Sequence, residues 1–593
     1  MRRTLRLGAL HGRLRWGLVA VCLLLLVIGG RLVQLQGLDH GSYADAATAQ
    51  RLATVPLHAL RGSIVDRDGT VLAYTSEAQD VTADPKMVPP AQRSFYAQRL
   101  SPILGVPATN IEQGLAKDSR YALLARALSP VDAKKVEDLG LKGIFLQATT
   151  ERKYPGDTTA ANVLGTVQWD GAGAAGIEQQ FNRALAGKDG TESYTVDNVG
   201  NINPSSKTST VAARNGSTLT LTLDQDLQFV VQQYLQQVVP ASGARGAQAA
   251  VLDAKTGQVL ALASNKTFDA NDPNTIDENS AINPPVMTAF EPGSVQKAIT
   301  FAAAIEEKKI TPTSMITVQD SIRMGGVTVK DAWWHPTLPF TATGVLAQSS
   351  NVGTLKIAEK LGPAVWDRYE NLFGVGQKTG IELPGESGGY LPPMDEWSES
   401  TFANLPFGQG QSMTVLQLAS IYQTLANDGV RIPPRIVKSV TADDGSVTET
   451  AQPKAVRAVS PATAKTVRTM LESVVMAGGT GVKAAVPGYR VAGKTGTAQQ
   501  PDPNTGKYSD SLYWVTFAGM IPADDPQVVI AVMVDQPHAG LEGGDVAAPL
   551  FNKIAAYEVQ HAHIPPTGSL GKHVPLMDCK VQAVRMAAPR TVC

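Results

Sequence analysis

A serine and a lysine three residues apart, Ser294 and Lys297, have the types and spacing of a nucleophile and its base. They follow a Pro-Gly pair and precede a run rich in Ala and Ile, which is the pattern of a helix start. Both side chains would then lie on one face of the helix, one turn apart. A serine hydroxyl needs a base to take its proton, and a partly desolvated lysine near a helix N-terminus is less readily protonated. The spacing alone is a weak signal, because about one S-x-x-K is expected by chance, and a second copy begins at Ser569.

A second polar group, Ser349-Ser350-Asn351, follows about fifty residues later. Ser349 could relay a proton between a lysine and a leaving group, and the amide of Asn351 could hold the peptide of a substrate. An ordinary polar loop or a helix cap is the commoner origin of such a tripeptide. Taken alone, this group does not decide between the two interpretations.

A third group, Lys494-Thr495-Gly496-Thr497, lies in an apolar frame that predicts a strand. Lys-Thr-Gly also occurs at residues 255–257 and 378–380, where the surrounding residues predict a turn and a loop. At Gly496 no side chain would obstruct a substrate backbone that pairs with the strand edge. Lys494, Thr495 and Thr497 could hold a carboxylate.

The elements around these groups predict an α+β domain. A strict period-two pattern predicts a strand at 217–223, and Asp224 would cap a helix that runs to about Val239. A hairpin is predicted at 249–263, a helix-rich region at 288–480, and two closing strands at 513–520 and 528–534. Strands at both ends with helices between them indicate an antiparallel sheet covered by helices.

Composition excludes several classes of protein. The 593 residues include 52 Lys and Arg against 53 Asp and Glu, a balance that argues against nucleic acid as a partner. Three cysteines exclude a disulfide framework and a cysteine-based metal site, although Cys579 and Cys593 leave one pairing open. The eight histidines form no HExxH pattern, so we expect no metal and no cofactor.

The N-terminus predicts a membrane anchor at residues 16–36, with a fifteen-residue stretch free of charge between Trp16 and Gly30. Five arginines precede it and no acidic residue occurs before Asp39, so residues 1–15 would be cytoplasmic and the rest extracellular. A cleaved signal peptide is the alternative. Arg31 follows the apolar run in place of a small-x-small cleavage site, which favours a single-pass protein of the plasma membrane.

The order S-x-x-K, S-x-N and K-T-G-T in one domain resembles the penicillin-binding proteins, the serine acyl-transfer family that includes the β-lactamases. Further segments resemble the elongated mixed α/β pedestal of class B members: residues 61–73, 152–155, Gly165 and 176–178. Others resemble the transpeptidase domain and, within class B, the FtsI-type division enzymes of actinobacteria: residues 407–410, 416–419, 422–435 and 564–568. The implied organisation is a pedestal of the dimerisation type at 37–215, a transpeptidase domain at 216–560 and a C-terminal tail at 561–593.

The resemblance implies a peptidoglycan D,D-transpeptidase. Ser294 would attack the carbonyl between two terminal D-alanines, with Lys297 as base and Ser349 as proton relay to the leaving amine. The implied substrate-binding residues are Asn351, Lys494, Thr495, Gly496 and Thr497, and the N–H groups of Thr497 and Ser294 would form the oxyanion hole. An amine of a neighbouring stem peptide would take the acyl group, and a β-lactam would trap Ser294. Val295-Gln296 between the serine and the lysine is unusual for the family.

The implied partners are peptidoglycan stem peptides, β-lactams, the cell membrane, a membrane glycosyltransferase of the FtsW type and other division proteins. A separate glycosyltransferase is implied because the 37–215 segment is too short to hold one beside a pedestal. The favoured role is septal cell-wall synthesis. The alternatives are an elongation-type transpeptidase, a carboxypeptidase or β-lactamase-like hydrolase, and a non-catalytic division scaffold or antibiotic sensor. A retained anchor and a long pedestal argue against a secreted hydrolase.

Overall fold

The structure is a computed structural model that describes residues 7–38, 52–196, 204–206, 209–568, 571 and 574–578. The chain divides into two compact units, Met1–Ala59 with Lys188–Arg214, and Leu60–Gly187 with Asn215–Cys593. Cys579, Cys593 and the S-x-x-K copy at Ser569 lie outside the described residues.

The smaller unit contains the predicted anchor. Helix Leu7–Val33 continues into a π-helical turn, Gln34–Leu38. Its 26-residue segment His11–Gln36 reaches a mean hydropathy of 2.4 and is long and apolar enough to cross a bilayer. The unit also holds an antiparallel sheet in the order β1-β6-β7, formed by strands Leu52–Leu57, Gly190–Thr195 and Ser209–Val211.

The larger unit holds the remaining strands. In chain order they are β2 Ile64–Val65, β3 Val71–Ala83, β4 Ala122–Leu128, β5 Ile144–Lys153, β8 Thr218–Leu221, β9 Gly246–Asp253, β10 Val259–Ser264, β11 Met315–Val318, β12 Ser321–Met324, β13 Val327–Lys330, β14 Leu338–Thr341, β15 Val430–Arg431, β16 Val437–Thr441, β17 Val447–Glu449, β18 Val456–Arg457, β19 Ala492–Pro501, β20 Tyr508–Ile521 and β21 Val528–Asp535.

The helices of this unit are Arg93–Leu104, Ala108–Leu115, Pro130–Asp138, Ala161–Leu164, Gly176–Gln180, Asn182–Leu185, Gln225–Ser242, Pro284–Met287, Lys297–Glu306, Ala342–Ala347, Asn351–Leu361, Pro363–Phe373, Glu399–Asn404, Val415–Ala426, Pro461–Val475 and Ala547–His561. Helix Gln225–Ser242 begins where the sequence predicts, because the Asp224 side chain accepts a hydrogen bond from Leu227 N at 3.0 Å.

A five-stranded antiparallel sheet, in the order β10-β9-β21-β20-β19, forms the centre of the larger unit. Alternate residues of β9 enter two different cores: Ala250 and Leu252 pack into one, Ala249 and Val251 into the other. Helix Val415–Ala426 contributes to the first core and helix Ala547–His561 to the second. The predicted antiparallel sheet covered by helices is therefore confirmed, and β19 lies at its edge.

A second sheet joins strands that are far apart in the sequence. Its order is β17-β16-β8-β2-β3-β4, and β5 also pairs with β3. The predicted strand at 217–223 forms β8, which pairs in parallel with β2 through Ile64 and Leu219. Segments on both sides of the predicted boundary at residue 215 thus share one sheet.

The pedestal motifs of the sequence converge on one buried carboxylate. Glu178, fully buried, accepts hydrogen bonds from Arg61 Nε at 2.6 Å and from Arg152 Nε at 2.7 Å. Tyr154 OH donates to the same carboxylate at 3.3 Å, and Arg152 also donates to Gly62 O at 2.8 Å. Motifs about ninety residues apart are therefore held together by a single acidic group.

Replacement of Glu178 by glutamine should lower the free energy of unfolding of the protein by about 3–5 kcal/mol, since it leaves two buried guanidinium groups without a countercharge. Chemical denaturation of the purified protein would measure the loss. Glu137→Gln is the matched control, because Glu137 forms an ion pair with Lys134 at the surface and should change stability little. Equal stability of the two variants would contradict this assignment.

Part of the predicted loose tail is ordered. Pro575 O and Leu576 O accept hydrogen bonds from the Thr341 hydroxyl and backbone N–H at 2.7 and 3.0 Å. Leu576 and Met577 are buried, and Met577 forms a bridge with Phe340 of β14. Residues 575–577 thus pack on the strand that leads into helix Ala342–Ala347, just ahead of the Ser349 group.

Candidate active site

The nucleophile candidate lies on a short 3-10 turn, Gly293–Gln296, which continues into helix Lys297–Glu306. Gly293 has φ +62°, and a Cβ there would lie 3.1 Å from Thr497 O. Its N–H donates to Gly408 O at 3.1 Å. Ser294 is half-buried, one turn before the fully buried Lys297. The predicted helix start is confirmed, and the turn is pressed against the strand that carries the third motif.

Lys297 joins the first two motifs. Its Nζ donates to Ser349 O at 2.6 Å and to Asn351 Oδ1 at 2.7 Å, and Ser349 Oγ lies 3.3 Å away. These contacts span more than fifty residues of sequence. The lysine forms no hydrogen bond to Ser294 within the described residues, and such bonds often tighten only when substrate is bound.

Burial in the core lowers the pKa of Lys297 to about 7, and the charge of Asp331 partly offsets this effect. About half of the Lys297 side chains are therefore uncharged near neutral pH. An uncharged amine has a free lone pair and can accept a proton. This is the property that a general base for Ser294 requires.

The second motif lies between two helices. Ser350, not Ser349, is the cap: its hydroxyl accepts a hydrogen bond from Gly353 N at 2.9 Å. Ser349 has φ +60°, a left-handed conformation that costs a non-glycine residue on the order of 1 kcal/mol. The helix-cap interpretation is thus correct for the middle serine, while the strained Ser349 and the first helical residue Asn351 both face Lys297.

The third motif lies on the edge strand β19, as predicted. An ideal Cβ on Gly496 would lie 2.8 Å from Pro292 O and 2.2 Å from Thr516 Oγ1. The glycine is therefore required by the close approach of the nucleophile turn to the strand. This close approach is a second reason for glycine here, beside the predicted space for a substrate backbone at the strand edge.

Lys494 is fully buried on the same face of β19 as Gly496. Its Nζ donates to Thr495 O at 3.0 Å and to Thr495 Oγ1 at 3.3 Å. Burial, and next the charge of Lys297, lowers the pKa of Lys494 well below its usual value. Thr497 Oγ1 accepts a hydrogen bond from Gly543 N at 3.3 Å. The ammonium form of each lysine disfavours that of the other, and an anion bound beside them would favour it.

The unusual Gln296 between Ser294 and Lys297 also has a partner. It is fully buried and donates a hydrogen bond to Glu370, which is fully buried too. Burial raises the pKa of Glu370 well above its usual value, which favours the uncharged carboxyl. The pair joins the start of helix Lys297–Glu306 to helix Pro363–Phe373.

The structure thus brings the three predicted motifs together, and it adds two residues that the sequence analysis missed. Asp331 accepts a hydrogen bond from Val352 N at 3.0 Å, and His335 Nε2 lies 3.1 Å from Asp331 Oδ2. Both side chains are about 1% exposed. An i, i+4 histidine–aspartate spacing was the only available signal, and it is too common to identify a site.

Comparison with known proteins gives two family matches and close relatives. A "Penicillin binding protein transpeptidase domain" matches residues 247–556, and a "Penicillin-binding Protein dimerisation domain" matches residues 56–221. The chain is 43% identical to the penicillin-binding protein PbpB of Mycolicibacterium smegmatis, over 95% of this chain and 92% of that protein. It is 32% identical to the peptidoglycan D,D-transpeptidase FtsI of Escherichia coli, over 93% and 92%.

A solved structure is also similar. The crystal structure of penicillin-binding protein 3 from Mycobacterium tuberculosis complexed with ampicillin aligns with a TM-score of 0.71 at 41% identity. The alignment covers 88% of this chain and 99% of that one.

Proposed function

This chain belongs to the penicillin-binding protein transpeptidase family, and from that membership we propose that it is a peptidoglycan D,D-transpeptidase that β-lactams inhibit. The family prediction from the three motifs is confirmed. The observation that carries the proposal is the buried Lys297, one turn from Ser294 and hydrogen-bonded to Ser349 and Asn351.

The arrangement of these side chains supports an acyl-transfer reaction in two steps, acylation of Ser294 and transfer of the acyl group to an acceptor amine. Lys297 takes the proton of Ser294 Oγ, which attacks the carbonyl carbon between the terminal D-alanines. The C–N bond breaks, and the departing D-alanine amine receives a proton through Ser349, whose Oγ lies 3.3 Å from Lys297 Nζ. An acceptor amine then attacks the ester carbonyl and forms the cross-link, the C–Oγ ester bond breaks, and a proton of that amine passes to Ser294 Oγ.

Strand β19 supplies the residues that we assign to substrate binding. The terminal carboxylate of the stem peptide is assigned to Lys494, Thr495 and Thr497, and the peptide backbone to the free edge of β19 at Gly496. A carboxylate next to Lys494 favours its ammonium form and so compensates for the cost of burial. The N–H groups of Ser294 and Thr497 are assigned to the oxyanion, and the amide of Asn351 to the donor peptide.

We assign the protein to septal wall synthesis, beside a membrane glycosyltransferase of the FtsW type and other division proteins. Support comes from the FtsI relative and from the actinobacterial PbpB relative. The arginines ahead of the apolar helix favour a cytoplasmic N-terminus and an extracellular catalytic domain. The proposed domains are residues 37–215, 216–560 and the tail 561–593.

The activity test is a cross-linking assay with the full chain in detergent and polymerised, uncross-linked peptidoglycan. We expect one D-alanine released for each dimeric muropeptide, because cleavage and cross-linking share one acyl-enzyme. Mass spectrometry counts the dimers and an enzymatic assay counts the D-alanine. D-alanine without dimers would identify a carboxypeptidase and contradict the transpeptidase assignment. A fluorescent fusion that follows the lateral wall and not the septum would contradict the septal role.

A further inference from the structure

Residues 575–577, here called the tail segment, extend the small sheet formed by β11 and β14. Met577 forms an antiparallel bridge with Phe340 of β14, whose other edge pairs with β11. The N–H of Thr341 donates to Leu576 O at 3.0 Å. The side chains of Leu576 and Met577 are both buried. The tail segment is thus built into the domain that carries the three motifs.

The tail segment also orients the cap of the helix that follows β14. Thr341 Oγ1 donates to Pro575 O at 2.7 Å and accepts a hydrogen bond from Gly344 N at 2.9 Å. A hydroxyl has one proton to donate. Because that proton lies toward Pro575 O, the lone pairs are left for the N–H of Gly344. A carbonyl of the tail segment therefore orients the N-cap of helix Ala342–Ala347.

Gly344 is explained by the close approach of the tail segment. An ideal Cβ on Gly344 would lie 1.8 Å from Leu576 O and 2.7 Å from Leu576 C. The backbone of Gly344 is helical, so the left-handed freedom of glycine is not needed here. Alanine would favour a helix more than glycine does. The backbone of Leu576 thus occupies the place where a side chain of this helix would lie.

The other end of helix Ala342–Ala347 holds Ser349. The N–H of Ser349 donates to Leu346 O at 3.2 Å, and the N–H of Ser350 donates to Val345 O at 3.0 Å. With φ +60° at Ser349, this is the Schellman arrangement, which ties a left-handed residue to the helix before it. A six-residue helix is only about 9 Å long. A displacement at its start is therefore carried to Ser349.

We propose that the tail segment is a positioning element of the acyl-transfer reaction: through helix Ala342–Ala347 it places the hydroxyl of Ser349 for proton transfer to the leaving amine. The inference rests on the proposed function, since it takes Ser349 to be the proton relay. Ser349 Oγ lies 3.3 Å from Lys297 Nζ, so a shift of about 1 Å would separate the two groups.

Two variants of the full-length protein release the tail segment by different means. Leu576→Asp puts a charge at a buried position, and Gly344→Ala puts a methyl group where the backbone of Leu576 lies. In both variants the N–H of Thr341, which Leu576 O accepts, should exchange with deuterium faster than in the wild type. Unchanged exchange in both would contradict the packing on which the inference rests.

Two leaving groups distinguish positioning of Ser349 from a general loss of structure. Penicillin releases an amine, which needs a proton in order to leave, whereas a thioester releases a thiolate, which does not. In either variant the acylation rate constant with a fluorescent penicillin should fall about tenfold or more. The kcat/KM for thiol release from an N-acyl-D-alanyl thioester should fall less than about twofold. Ser349→Ala should show the same difference between substrates, and adding Leu576→Asp to it should have little further effect.

Val131→Asp is the matched control, because it introduces the same charge at an exposed apolar side chain of helix Pro130–Asp138 and should change neither rate. Equal losses with both substrates would overturn the positioning role, as would wild-type penicillin rates in both variants. A further tenfold loss when Leu576→Asp is added to Ser349→Ala would also overturn it. A wild-type protein that forms no adduct on Ser294 would instead overturn the proposed function.

Discussion

Replacement of Ser294 by alanine is expected to abolish covalent labelling by penicillin while the fold is retained. The acyl-enzyme needs an oxygen nucleophile at the start of helix Lys297–Glu306, and alanine offers none, so the labelling rate should fall by more than about a thousandfold. Ser294 is half-buried, and removing its hydroxyl leaves the turn at Gly293 intact. Mass spectrometry of the intact protein and of its peptides after penicillin treatment would measure the adduct.

Ser569→Ala is the matched control for this experiment. It removes the serine of the other S-x-x-K copy in the sequence and should leave labelling unchanged. An adduct that persists in Ser294→Ala, or one that maps to Ser349 in the wild-type protein, would show that the nucleophile has been assigned to the wrong serine.

Replacement of Lys297 by arginine should slow acylation by about a hundred- to ten-thousandfold. Arginine carries a positive charge and has N–H groups that can donate hydrogen bonds to Ser349 and Asn351, as Lys297 does. A guanidinium stays protonated, however, and cannot take a proton from Ser294. The variant therefore distinguishes a base from a fixed cation. Stopped-flow labelling across pH would measure both the rate and its pH dependence.

The sign of the pH dependence follows from burial. Because the Lys297 pKa lies at about 7, the fraction of neutral lysine grows as pH rises through 7, and the wild-type rate should rise with it. The residual rate of Lys297→Arg should be flat over this range. Lys255→Arg is the control: Lys255 belongs to another Lys-Thr-Gly copy, is exposed and forms an ion pair with Asp525. This substitution should leave the labelling rate unchanged. A rate in Lys297→Arg close to that of the wild type would exclude Lys297 as the base.

Several features of the protein were predictable from local sequence patterns. The spacing of Ser294 and Lys297 on a helix start, the apolar N-terminal helix and the strands β9, β10, β20 and β21 follow from periodicity and turn residues, which act over a few positions. A helix cap was also one of the interpretations of Ser349-Ser350-Asn351 that the sequence allowed, and Ser350 is that cap. Local patterns succeed here because backbone preference and side-chain alternation agree with the final fold.

The tertiary structure decided what depends on distant contacts. The chemistry of Lys297 comes from burial and from Ser349, Asn351 and Asp331, which no spacing in the sequence places beside it. The need for glycine at residue 496 comes from the approach of Pro292, and the contact between Asp331 and His335 is made by two buried side chains. Desolvation and close packing arise only when segments meet, so the amino-acid sequence determined which groups are present, while the fold determined which of them are charged.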